Sequence, residues 1–144
     1  MKEDPFGNLR EWGSVLEIFD RLSENGELTE CQSGLIRILR YKGNWRLREV
    51  VLKCLGDIQT PSKELLLQVL TILSDDNIYY DARILAGDGL AVLLKNARDD
   101  FSAKIVHNVI KTVEKLRSTP QPPFFEKALK RLHSEVGRLY LLQN

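Results

Sequence analysis

At 144 residues, 43% hydrophobic and 28% charged, the chain has room for one core and not two, so residues 1–144 read as a single domain. Its longest apolar run, Leu65 to Leu73, is broken by Gln68 and Thr71 and falls short of a bilayer span, which leaves no membrane partner. The acidic start, residues 1–7 (MKEDPFG), lacks the apolar stretch of a secretory signal, so the expected location is cytoplasmic.

Trp12, Val15, Leu16, Phe19 and Leu22 recur at helical spacing and predict an amphipathic helix over residues 8–23, stopped by Asn25-Gly26. Thr29 and Gln32 have capping-box spacing and open a second helix that runs to Tyr41 and is closed by Gly43. A third helix is expected over 45–58. Thr60-Pro61 reads as an N-cap followed by a first-turn proline, starting a fourth helix that ends near Ser74-Asp75-Asp76. A fifth covers 78–95, and Asp99 or Asp100 caps a sixth that reaches Leu116. The proline-rich residues 119–123 make a stiff break before a seventh helix over 124–141. In that last helix Phe125, Ala128, Leu132, Val136 and Leu139 form one apolar stripe, while Lys127, Lys130, Arg131, Glu135 and Arg138 cover the rest. The first helix is equally one-sided, whereas Leu65-Leu66-Leu67 and Leu90 to Leu94 are apolar over a wider arc, as the middle of a stack requires. No segment alternates with a strand period.

The most telling pattern is internal. Residues 48–58 (REVVLKCLGDI) lie over residues 83–93 (RILAGDGLAVL) at a spacing of 35 positions, and each copy follows a turn, Asn44-Trp45 or Tyr79-Tyr80. A tandem unit of two helices at that period signals a solenoid, in which each unit buries its apolar face only by stacking on its neighbours. The Leu47-Arg48 and Ala82-Arg83 steps, followed by Leu55-Gly56-Asp57-Ile58 and Leu90-Ala91-Val92-Leu93, resemble the second-helix pattern of the HEAT family of helical repeats, including its short bacterial form. The likeness covers residues 28–95 well and 100–142 loosely. It implies an all-α fold, a short right-handed alpha-alpha superhelix of about three helix pairs plus an N-terminal capping helix. It also implies an acid in the turn before each second helix, paired with the arginine. Asn44 and Tyr79 stand there instead, and Asp75, Asp76 and Asp81 are the nearby candidates.

Catalytic machinery is not visible. His107 and His133 each stand alone on a helix without metal-ligand spacing, and no nucleophile elbow or phosphate loop occurs. Gly87-Asp88-Gly89 lies inside a helix, where small residues permit close packing. Cys31 and Cys54 lack zinc spacing and read as small buried hydrophobes, and the pairs Asp75-Asp76 and Asp99-Asp100 read as caps at helix boundaries. The expectation is a non-enzyme with neither cofactor nor metal.

Recognition is left. Residues 37–48 hold five bases, two aromatics and no acid around one interhelical turn, and Tyr41, Lys42, Trp45 and Arg46 are its natural exposed members. Trp45 corresponds to Tyr80 in the next unit and Phe124-Phe125 opens the last helix, so the turns are expected to align aromatics along one edge. Arg37, Arg40, Tyr41, Lys42, Trp45, Arg46, Tyr79 and Tyr80 are therefore the candidate partner-binding residues, because Trp, Tyr and Arg dominate binding hot spots.

Charge comes in blocks: eight acids against three bases in residues 1–30, six bases against two acids in 31–59, seven acids against four bases in 60–100, and eight bases against three acids in 101–144. Such blocks suit a charged partner groove or head-to-tail self-association. The favoured function is a protein-interaction module or adaptor that binds a protein or peptide. The alternative is nucleic-acid binding through Arg37, Arg40, Lys42, Arg46 and Arg48 with Lys104, Lys111 and Lys115, against which the acidic blocks leave no continuous phosphate track.

Overall fold

The computed structural model describes residues 4–97 and 102–143. Among them the chain forms only helices: α1 (Trp12–Glu24), α2 (Gln32–Arg40), α3 (Trp45–Lys53), α4 (Lys63–Ser74), α5 (Tyr80–Asn96), α6 (Ser102–Arg117) and α7 (Pro123–Gln143), with short 3-10 segments at Leu28–Cys31 and Leu55–Asp57. Consecutive helices pair as α2 with α3, α4 with α5 and α6 with α7. Two further series of contacts link α2 to α4 to α6 and α3 to α5 to α7. A single cluster of buried apolar side chains runs through them from Phe6 to Val136. No helix among the described residues is long and apolar enough to cross a membrane.

Helix α5 sits against α3, α4, α7 and the Leu55–Asp57 segment at once, and its composition answers that crowding with Ala82, Ala86, Gly87, Gly89 and Ala91. Gly89 is the tightest point: a Cβ there would lie 2.5 Å from Leu55 Cδ1. The terminal helix needs no such economy. In α7 Phe125, Ala128, Leu132 and Val136 are buried, while Lys127, Lys130, Arg131 and Arg138 are exposed.

Several local expectations are corrected. Helix α1 starts at Trp12 and not at residue 8, and Trp12 is 52% exposed instead of joining the apolar stripe. The chain ahead of it supplies the missing core side chains, Phe6 and Leu9. Arg37 pairs with the Asp4 carboxylate, Asp4 Oδ1 accepts from the Phe6 amide at 3.0 Å, and Phe6 enters a slot opened by Gly34, where a Cβ would meet its ring at 2.7 Å. That pairing holds the Asp4 carboxyl below its ordinary range, the Arg37 hydrogen bond being the main cause.

The capping box at Thr29 and Gln32 does not form. Thr29 Oγ1 accepts from the Gln59 amide at 3.0 Å, and the Gln32 side chain reaches the loop after α3. Its Nε2 donates to the Thr29 and Thr60 carbonyls at 2.9 and 3.0 Å while its Oε1 accepts from the Ser62 amide at 2.7 Å. With Thr60 engaged in that brace, the cap of α4 is Ser62, whose hydroxyl accepts from the Leu65 amide at 3.1 Å, so the helix starts two residues later than Thr60-Pro61 suggested. The third helix is shorter than expected: it ends at Lys53 and tightens into the 3-10 segment, which lays Leu55 against Gly89. The α5 boundaries move to 80–96 and those of α7 to 123–143, while the expected cap at Asp99 or Asp100 lies outside the described residues.

Candidate functional site

Two turns stand side by side at one end of the paired helices, residues 41–44 before α3 and residues 75–79 before α5. At the first, Asn44 is extended and its side chain accepts from the Arg46 amide at 2.9 Å, an N-cap that fixes Trp45 as the first helical residue. At the second, Asp75 Oδ1 accepts from the Asn77 amide at 2.9 Å and the Asp75 carbonyl from the Ile78 amide at 3.1 Å. These bonds close a turn that leaves Tyr79 extended just outside α5.

The indole of Trp45 and the phenol of Tyr79 then meet edge to face, with centroids 6.0 Å apart and planes at 79°. Both remain open to solvent, Trp45 at 53% and Tyr79 at 38%. Glu49, one helical turn after Trp45, and Asp81, in the first turn of α5, complete a cleft of about 330 Å³ around the two rings. Burial and then the Glu49 carboxylate push the Tyr79 hydroxyl up to about 12. The guanidinium of Arg46 lies 5.5 Å from the Trp45 ring centre without lining that cleft.

Tyr80 turns the other way. It is half-buried against Phe124 and Phe125, at 5.7 and 5.0 Å between centroids, so the rings at the starts of α3, α5 and α7 follow one another along a single edge. The contact of Trp45 is nevertheless Tyr79 and not its register equivalent Tyr80. A 35-residue offset aligns equivalent positions in the sequence, whereas the rings in contact are those the two turns bring to face each other.

The remaining candidates divide. Arg37 is committed to Asp4, and Arg40 Nε donates to Gln68 Oε1 at 2.8 Å. Tyr41, expected to be exposed, is half-buried against the core, and Gly43 leaves room for its ring. Lys42 is exposed and, with Arg40, Gln68, Thr71, Asp75 and Asn77, borders a groove of about 560 Å³ on the α2 and α4 side of the same two turns. Lys104, Lys111 and Lys115 are exposed on α6.

Arg48 and Arg83 belong to the interior. Arg48 donates to the Leu39 and Tyr41 carbonyls at 3.1 and 3.3 Å, and Arg83 to the Leu73 carbonyl at 2.9 Å, so each guanidinium caps the C-terminal carbonyls of the helix before its own. The acid that Arg83 meets is Asp76, at 3.6 Å, and Asp81 faces the cleft instead. The hydrogen bonds of Arg48 among the described residues go to carbonyls.

His107 is exposed and His133 half-buried, and no group of three potential metal ligands gathers among the described residues. Cys31 is buried and Cys54 half-buried, its thiol raised above the ordinary range chiefly by burial, which suits packing and not nucleophilic attack. Comparison with protein-family models, with curated proteins and with solved structures returns no match for this chain.

Glu49 is a further lining residue, and the signal for it is the i, i+4 spacing from Trp45 that puts the two side chains on one helix face. Asp81, one of three candidates for an arginine partner, lines this cleft instead. The sequence around Trp45 is basic, whereas the groups that share a cleft with the indole are a phenol and two carboxylates.

Proposed function

We propose that this chain is a non-catalytic protein-interaction module or adaptor that works in the cytoplasm. In this reading it is a short HEAT-like solenoid of three stacked helix pairs behind the capping helix α1, and it binds a segment of a partner protein along the edge where α3, α5 and α7 begin. Support for the solenoid comes from the pairing of consecutive helices, the two series α2, α4, α6 and α3, α5, α7, and the matching tasks of Arg48 and Arg83.

The observation that carries the binding surface is the half-exposed Trp45, held edge to face with Tyr79 beside a cleft. Large, stiff rings of this kind give up much solvent contact on binding at small entropic cost, and they dominate interface energetics. A protein segment fits this edge better than a phosphate backbone, which would meet Glu49 and Asp81 at the cleft and lose Arg37 and Arg48 to internal bonds.

Photo-crosslinking tests the proposal. A benzophenone amino acid at Arg46 should form a discrete adduct with one partner in native lysate, and the same probe at Lys111 on α6 should not. With the identified partner reconstituted, Trp45→Ala should weaken binding about 30-fold, the order expected of a hot-spot aromatic. Adducts at Lys111 alone, or full affinity in Trp45→Ala, would move the interface elsewhere.

A further inference from the structure

We infer that the Trp45–Tyr79 cleft is a cation pocket, which receives one lysine or arginine side chain from an extended, basic segment of a partner protein. The inference rests on the interaction reading above and goes beyond it by naming the chemistry of the occupant. Four side chains line the cleft, two aromatic and two carboxylate, and the nearby cations stay outside that lining, Arg46 over the Trp45 ring and Arg48 acting on Tyr79 from the interior. Aromatic faces attract a cation through their quadrupole, and the attraction is greatest for indole. Carboxylates at the rim add a formal countercharge. This combination favours a positively charged head on an apolar stem and disfavours an acidic or phosphate group.

Size agrees with this occupant. About 330 Å³ is at the low end for small-ligand sites, enough for one long side chain. The cleft also lies at an interhelical edge, where a partner main chain can run past while the side chain enters. A cation already sits by this ring: the Arg46 guanidinium is 5.5 Å from the indole centre, outside the cleft lining. Arg46 is thus a like charge next to the incoming one, and its removal should help the ligand, an effect that a purely structural role of the aromatic pair would not produce.

The test is selection from a displayed library of linear peptides on the folded, full-length protein, run in parallel on a Glu49→Gln/Asp81→Asn double variant and on Trp45→Ala. Circular dichroism and a urea midpoint equal to wild type establish that the variants are folded. Wild type should enrich peptides with one fixed lysine or arginine. A synthetic member should lose about tenfold in affinity when that residue is replaced by norleucine, and a similar amount against either variant. Arg46→Gln should gain about two- to threefold for the same peptide.

Peptides that bind wild type and the double variant equally, or whose fixed residue is acidic or apolar, overturn the cation pocket and leave the interaction reading standing. Absence of any enrichment overturns both. Self-association of wild type that the double variant abolishes would show that the cation comes from a second copy, and would overturn the choice of a foreign partner.

Discussion

Arg48 and Arg83 occupy the same position in two copies of one pattern, and the difference between them shows what the position is for. Both are almost wholly buried, at 8% and 3% exposure, and both reach the last carbonyls of the preceding helix, Arg48 through two donors and Arg83 through Nε alone, its buried Nη2 having no hydrogen-bond partner among the described residues. A buried C-terminus without partners costs about 1–3 kcal/mol per unsatisfied group, so this shared task is enough to retain an arginine at both places. The acid partner is variable: Asp76 lies near Arg83, but it is 90% exposed, and so contributes little. What distinguishes Arg83 is its surroundings. Its guanidinium carbon is 5.2 Å from the Tyr80 ring centre and 4.5 Å from that of Phe125, so it also ties α5 to α7. The common element holds each pair together, and the added element joins one pair to the next.

Removal of the two arginines is the strongest way to break this comparison. Arg83→Ala and Arg48→Ala should each destabilise the fold by about 3 kcal/mol, Arg83 through one charged hydrogen bond and two ring contacts and Arg48 through two charged hydrogen bonds, as urea midpoints would measure. A loss at Arg83 well below that at Arg48 would mean that the rings around Arg83 carry no energy of their own.

Glycine and cysteine sharpen the same contrast one helical stretch later, where Gly89 in α5 corresponds to Cys54 at the end of α3. Gly89→Ala forces Leu55 to move and should cost about 1–2 kcal/mol, while Cys54→Ala, at a half-buried position, should cost less than about 1 kcal/mol, both read by thermal unfolding.

The smallest effect concerns the turns. Tyr79 has its hydroxyl raised from 10.0 to about 12, so the folded chain holds that proton more tightly than the unfolded one. Its contribution to stability is complete below pH 10 and fades as the pH climbs toward 12. Since the ring is partly exposed the loss is shallow, and it should be absent from Tyr79→Phe in urea titrations over that alkaline window. An equal alkaline loss in Tyr79→Phe would remove Tyr79 as its source.

How much of this could be read beforehand depended on whether a feature is local. Helix periodicity, the stop at Asn25-Gly26 and the break around residues 119–123 act within one segment, and the helices appear where those signals put them to within a few residues. Capping departs from local spacing wherever a side chain finds a partner far along the chain. Thr29 and Gln32 have the spacing of a local cap, but apart from the Gln32 bond to the Thr29 carbonyl their side-chain hydrogen bonds go to residues about 30 positions away. The burial of Phe6 was equally invisible, because it depends on the space left by Gly34. The candidate site was half legible: aromatic residues at the turns mark the edge, but which ring meets which, and that acids share their cleft, depends on the facing of two turns from different units.

Gln32 gives that long-range character a kinetic meaning. One carboxamide holds the Thr29 and Thr60 carbonyls and the Ser62 amide together, so fraying of the crossover between α3 and α4 has to break its bonds to the first residue of α2. Slow solvent exchange at the Ser62 amide would report on the whole front half opening at once, which makes this single proton a gauge of how cooperatively the molecule comes apart.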